Sequence, residues 1–142
     1  MKRIVTFERY LRHSPERVWK ALTDRETLSK WYLDNDFRPI VGHQFTFRPA
    51  PDSGFDGTLY GEVICVEAPF RLIYTFHGGP MKRQTVVTWT LTPDGGGTVL
   101  MLQHTGFTDL SDAALNRVMT ICPSRFLYRL AESLDKALPV KV

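Results

Sequence analysis

The chain has 142 residues, 43% of them hydrophobic, which suits one domain with a sizeable core and leaves no room for a second. Charged residues make up 23%, and 18 basic against 15 acidic side chains leave a net charge of +3, too small and too dispersed to mark nucleic acid or a membrane surface as the main partner. Nowhere do about 18 uncharged apolar residues run together, so no spanning helix is expected. The N-terminus reaches Glu8 before any long apolar run, which does not read as a secretory signal and points to the cytoplasm. Cys65 and Cys122 share no motif with each other or with histidine, and are expected to be half-buried apolar thiols.

Residues 3 to 12 carry Ile4, Val5, Phe7, Tyr10 and Leu11 among charges, a strand-like mix that ends at a helix start. There Ser14 offers a hydroxyl to the free amides of the next turn, Pro15 supplies the φ wanted at the first helical position, and Glu16 suits the positive end of the dipole. A first helix is predicted to about Leu22. Thr23-Asp24-Arg25-Glu26 reads as a capping box that opens a second short helix, with Leu28, Trp31 and Tyr32 on one face. From Phe37 onward the period becomes alternating: Phe45 and Phe47, Leu59 to Val66, Leu72 to Phe76, Thr85 to Leu91 and Thr98 to Thr105 predict strands. Short connectors rich in Pro, Gly and Asp, at 49–54, 67–69, 78–80 and 93–97, require antiparallel neighbours. With the N-terminal strand, the sheet has about six strands.

After Gly106 a helical pattern returns through Leu115, Val118, Met119 and Cys122, then Phe126, Leu127, Leu130, Leu134 and Leu138. Pro123 lacks an amide donor and predicts a break, so the closing helix is expected from about Ser124 to Leu138. Arg125, Arg129 and Glu132 read as its solvated, ion-paired face. No repeat, low-complexity tract or linker interrupts this order, which predicts one α+β unit over 1–142.

In this order and spacing the chain resembles the domain of the activator of the heat-shock-protein-90 ATPase and its stand-alone bacterial relatives, within the START-like, polyketide-cyclase-like (SRPBCC) superfamily. The residues that carry the resemblance are Ser14-Pro15-Glu16-Arg17-Val18-Trp19, Ala21 to Asp24, Leu28 with Trp31, Gly42 before Phe45, and Gly61-Glu62-Val63 leading to Glu67-Ala68-Pro69. Leu72 to Phe76, Val87 to Pro93, Gly97-Thr98 and His104-Thr105-Gly106-Phe107 complete it. The resemblance implies a helix-grip fold: a curved sheet wrapped around a long C-terminal helix, two short helices after the first strand, and a cavity between them. Similar proteins usually open the last helix with a Gly-Trp pair; here Pro123-Ser124-Arg125-Phe126 stands there, which implies a differently shaped entrance.

Alternation places Leu100, Leu102 and His104 on one face of the last strand, Val87, Trp89 and Leu91 on one face of its neighbour, and Leu72, Tyr74 and Phe76 on one face of the next. The resemblance turns these faces inward. The expected ligand-binding lining is Trp31, Phe45, Phe47, Tyr74, Phe76, Trp89, Leu102, His104, Phe126 and Leu130, an aromatic set with few polar groups that fits either an apolar small molecule or a filled core. His104 could donate to a ligand carbonyl, act as acid or base, or be a satisfied structural histidine. His13, His43 and His77 are scattered without metal-ligand spacing, so no metal and no cofactor are expected. Gly95-Gly96-Gly97 joins two strands and is not followed by Lys-Ser or Lys-Thr, so it reads as a hairpin turn and not a phosphate loop. No nucleophile elbow arranges Ser, His and Asp for hydrolysis.

The expected function is a non-enzymatic module that holds an apolar or amphipathic small molecule. Two alternatives stay open from the resemblance. One is a cyclase or dehydratase acting on a polyketide-like substrate, with Tyr74 and His104 polarising a carbonyl. The other is a chaperone-associated protein acting through its surface, although the sequence lacks the separate N-terminal domain of the eukaryotic co-activator.

Overall fold

The start signal at Ser14-Pro15 acts as its residue types dictate: Ser14 Oγ accepts from the Arg17 amide at 3.3 Å, and α1 (Pro15–Thr23) follows the first strand, β1 (Arg3–Leu11). This computed structural model describes residues 3–49, 57–78, 81–107, 111, 113, 115, 119 and 122–136. The cap of the second helix, α2 (Arg25–Trp31), is Asp24 and not the expected Thr23. The Thr23 hydroxyl donates back to the Trp19 carbonyl at 2.8 Å, which extends α1 one residue past Leu22, while Asp24 Oδ2 accepts from the Thr27 amide at 3.1 Å. The Thr27 hydroxyl, donating to the same oxygen, holds the Asp24 pKa below its usual value. Trp31 Nε1 donates to the Ala21 carbonyl at 2.7 Å and so ties α2 to α1 at their corner.

Beyond the helices come β2 (Asp34–Asn35), β3 (Gln44–Arg48), β4 (Leu59–Glu67), β5 (Arg71–Gly78), β6 (Met81–Asp94) and β7 (Gly97–Phe107). All pair antiparallel in one seven-stranded curved sheet of order β1-β7-β6-β5-β4-β3-β2, one strand more than expected. The extra strand is β2, whose two residues lie opposite Arg48 and Phe47. Its cause is the fully buried Asn35, whose Nδ2 donates to the Leu33 and Arg25 carbonyls at 3.0 and 3.2 Å while its Oδ1 accepts from the Phe37 amide at 3.0 Å. A two-residue strand carries no alternation to read.

Gly95 and Gly96, at φ of 55° and 88°, form the two-residue turn between β6 and β7, as the glycine run predicts. Pro93 is tolerated in β6 because it pairs with Thr98 on one side and lies beyond the end of β5 on the other. Gly61 lies opposite Phe45, and a side chain there would fall on the Thr75 carbonyl and the Phe45 ring. The expected connectors at 50–54 and 79–80, Val118 and the helix end at Leu138 lie outside the described residues.

The last α-helix begins later than expected. Pro123–Phe126 forms a single 3₁₀ turn, and the α-helix proper, α3, is Leu127–Lys136. Pro123 cannot donate and favours the first turn of a helix, so the chain tightens there before α3 begins. Leu127, Leu130, Ala131 and Leu134 turn inward from α3. His13 Nε2 meets Asp135 at 2.8 Å, which fastens the far end of α3 to the β1–α1 corner. The expected ion-paired face differs too: the Arg129 guanidinium lies over the Phe126 ring at 5.3 Å and the Tyr128 ring at 5.8 Å.

Candidate functional site

Strand pleating builds the interior. Leu72, Tyr74 and Phe76 of β5, Val87, Trp89 and Leu91 of β6, and Leu100, Leu102 and His104 of β7 are all buried, on the faces that alternation assigns to the inside. Register aligns them in rows: Leu72 opposite Trp89 opposite Leu102, and Tyr74 opposite Val87 opposite His104. Of the ten expected lining residues, nine are buried and Phe126 is half-buried.

Eight of the ten join through ring contacts. Trp31 meets Trp89 edge-on at 6.4 Å; Phe45 lies 5.2 Å from Phe47 and 5.1 Å from Tyr74; Phe47 lies 6.1 Å from Phe76. Phe126 enters the cluster through Tyr32, 5.1 Å away, and Tyr32 lies 5.0 Å from Phe47. Leu102 stands beside Trp89 in the ladder, Leu130 is fully buried on α3, and His104 sits at one end against Phe76 at 5.6 Å and Phe107 at 4.4 Å. Edge-to-face pairs at these separations attract beyond their buried area.

Few polar groups lie among these rings. Trp89 Nε1 donates to the Tyr74 hydroxyl at 3.1 Å. The Tyr74 phenol is therefore an acceptor in that bond, and no hydrogen bond among the described residues uses its own proton. Thr85 Oγ1 lies 2.6 Å from the Phe76 carbonyl and 2.7 Å from His104 Nε2. A carbonyl can only accept, so the Thr85 proton points to Phe76 and His104 donates from Nε2. Burial lowers the His104 pKa to about 3, and the ring is neutral near neutral pH. Burial likewise pushes the Cys122 thiol and the Tyr32 and Tyr74 phenols well above their usual values; the Trp89 hydrogen bond partly offsets this at Tyr74, and the nearness of Cys122 adds a smaller rise at both phenols. Cys122 is fully buried, in place of the half-burial expected from sequence, because the 3₁₀ turn carries it inward; Cys65 is intermediate.

This geometry has counterparts in known proteins. A family model described as "Activator of Hsp90 ATPase homolog 1-like protein" matches residues 12–134. The chain belongs to this family. Protein MLL2253 from Mesorhizobium loti is 34% identical over 96% of this chain and 100% of its own, with a TM-score of 0.83. DynU16, from the dynemicin biosynthetic locus, is 24% identical over 96% of this chain and 48% of its own, with a TM-score of 0.74, a likeness of fold. Protein BH1534 from Bacillus halodurans is 22% identical over 93% of this chain and 96% of its own, with a TM-score of 0.73. No curated protein matches the chain. The fold is thus the helix-grip fold of the SRPBCC, polyketide-cyclase-like proteins.

Within this Hsp90-activator-like frame, sequence reasoning passed over three members of the interior. Tyr32 looked like part of a helix face but caps α2 and bridges Phe47 and Phe126. Phe37 lies in irregular chain with no period to betray it, yet packs 5.0 Å from Phe45 and 5.7 Å from Tyr74. Thr85, the first inward residue before the hydrophobic part of β6, holds His104. At the start of the last helix the 3₁₀ turn brings Phe126 against Tyr32 and buries the Ser124 hydroxyl without a hydrogen-bond partner among the described residues. Among those residues no helix is long and apolar enough to cross a membrane, and no three His, Cys, Asp or Glu groups cluster for a metal.

Proposed function

We propose that the chain acts as one binding unit for a small, uncharged, largely apolar molecule, held among the aromatic side chains between the concave sheet face and α3. The observation that carries this reading is the Tyr74 phenol, buried among rings with its own proton uncommitted. A buried donor gains from an acceptor, so a ligand carbonyl or ether oxygen would take that proton while rings around it cover the apolar remainder. The interior offers no charge at neutral pH, since Tyr32, Tyr74 and Cys122 are held protonated and His104 neutral. That favours neutral ligands. Phe126 is the half-buried member of the set, and a ligand enters by parting it from Tyr32.

The enzyme reading, with Tyr74 and His104 on one carbonyl, has less support. The two residues share a row but stand two strand spacings apart, about 10 Å. The Nε2 proton of His104 goes to Thr85. The test is a native mass spectrum of freshly purified protein, followed by titration with an apolar fluorescent probe. One-to-one binding that quenches tryptophan emission and weakens in Tyr74→Phe is expected. A chain that carries no ligand and binds no probe would refute the proposal, as would a probe indifferent to Tyr74.

A further inference from the structure

A second concavity lies outside the aromatic interior, between α1, α2 and α3. Its volume is about 830 Å³, and its rim carries Arg17 and Lys20 from α1, Lys30 from α2, and Arg129 and Lys136 from α3. One carboxylate, Glu132, shares the lining. Five cations against one anion in a single groove exceed the net charge of the whole chain, +3, so the positive potential is concentrated here. Among the described residues none of the five forms a salt bridge; the two ion pairs there are His13–Asp135 and Arg48–Asp34. Asp24 feels Lys20 and Lys30, but its Oδ2 is taken up by capping α2 through Thr27.

Arg17 gives the second sign of a ligand. Its Nε is shielded from solvent and has no acceptor among the described residues, whereas buried donors in folded proteins are ordinarily satisfied. The donor belongs to a planar fork suited to two oxygens of one anion. Arg129 reaches the same groove with its Nε held by the Tyr128 hydroxyl at 3.1 Å and its guanidinium steadied on two rings. Buried Ala21 and Leu134 supply apolar lining.

We propose that this groove binds a molecule bearing two or more phosphate groups. A single carboxylate would not balance the five cations, whereas a diphosphate offers several anionic oxygens to forks and point charges together. The volume is that of a small-molecule site, with room beside the phosphates for an organic part against Ala21 and Leu134. An acidic peptide would use the charge but leave the apolar lining of Ala21 and Leu134 unused. The groove shares no lining residue with the ring cluster around Tyr74, though Arg129 at its edge lies over the Phe126 ring, and no step of this proposal uses Tyr74.

The test is calorimetric titration of the full chain with ADP, inorganic pyrophosphate, adenosine and a polyglutamate peptide. Flotation with phosphatidylcholine vesicles, with and without phosphatidylinositol bisphosphate, distinguishes a lipid headgroup from a soluble source. ADP and pyrophosphate should bind one-to-one, adenosine should not, and affinity should fall steeply with salt. Arg17→Gln should weaken binding by about tenfold or more, the loss of one charge-assisted pair. Glu132→Gln should tighten it by a few-fold, a gain that misfolding cannot produce. Vesicle binding that depends on the bisphosphate lipid and on Arg17 would support the same chemistry on a lipid. Absence of all phosphate binding, adenosine binding as well as ADP, insensitivity to both variants, or tighter binding of polyglutamate than of ADP would each overturn the proposal.

Discussion

Exchanging His104 for glutamine turns the burial of one imidazole into a measurable slope. The ring lies between Phe76 and Phe107 and its pKa is lowered by burial from 6.5 to about 3. As pH falls below 6.5 the unfolded chain takes up a proton at this position that the folded chain does not accept until about pH 3. The unfolded state binds more protons over that window, so stability from this group is complete above pH 6.5 and is lost as pH falls toward 3. Integrated from about pH 7 to about pH 5, the loss is about 2 kcal/mol. Glutamine keeps an N–H for Thr85 but cannot titrate. Urea unfolding of both chains at the two pH values gives the comparison, because every other group titrates in both and cancels. The wild type should lose about 2 kcal/mol more than His104→Gln between about pH 7 and about pH 5. Equal losses would refute a neutral, desolvated His104 and require an acceptor beside it that stabilises the charged ring.

Removing the Tyr74 oxygen by Tyr74→Phe keeps the ring contacts but strands the Trp89 N–H, and should cost about 1–3 kcal/mol in chemical denaturation while weakening probe binding. Gly61→Ala places a methyl on the Thr75 carbonyl and the Phe45 ring, so a drop in Tm worth at least about 1–3 kcal/mol is expected by calorimetry. At high pH the sign is opposite to that of His104: Tyr32, Tyr74 and Cys122 have raised folded values, so stability present below the unfolded values of 9.0 for the thiol and 10.0 for the phenols should fall once pH exceeds them. Unfolding followed from about pH 8 to about pH 11 checks this, and Cys122→Ala should delay its onset.

Much of this architecture could be read from residue types alone. Ser14 and Pro15 announce α1, the glycines at 95 and 96 announce a tight hairpin, and alternation along β5, β6 and β7 assigns nearly every buried side chain to its face. These signals are local, fixed by capping and by the two-residue period. What escaped notice is non-local. Asn35 makes a strand of two residues by bonding to carbonyls before it and an amide after it, and nothing in its neighbours' polarity foretells that. His104 is tied by Thr85, nineteen positions away, through a register that the sequence does not state. The basic groove draws its side chains from three helices, each of which looks on its own like an ordinary solvated face.

The pairing of β1 has a consequence for how the chain comes together. Among the described residues β1 meets β7 alone, with Arg3 opposite Phe107 and Leu11 opposite Thr98. During synthesis β1 leaves the ribosome well before β7, and Ile4, Phe7 and Tyr10, exposed even in the finished sheet, have no β7 to pair beside in the interval. The hairpins from β3 to β7 can zip in sequence order, whereas closing the β1–β7 ladder joins segments separated by most of the chain. Such long-range closure slows folding toward the millisecond-to-second regime of topologies rich in distant contacts. Until it occurs, β7 is an open edge, and a second copy of β1 is its most closely matched intruder.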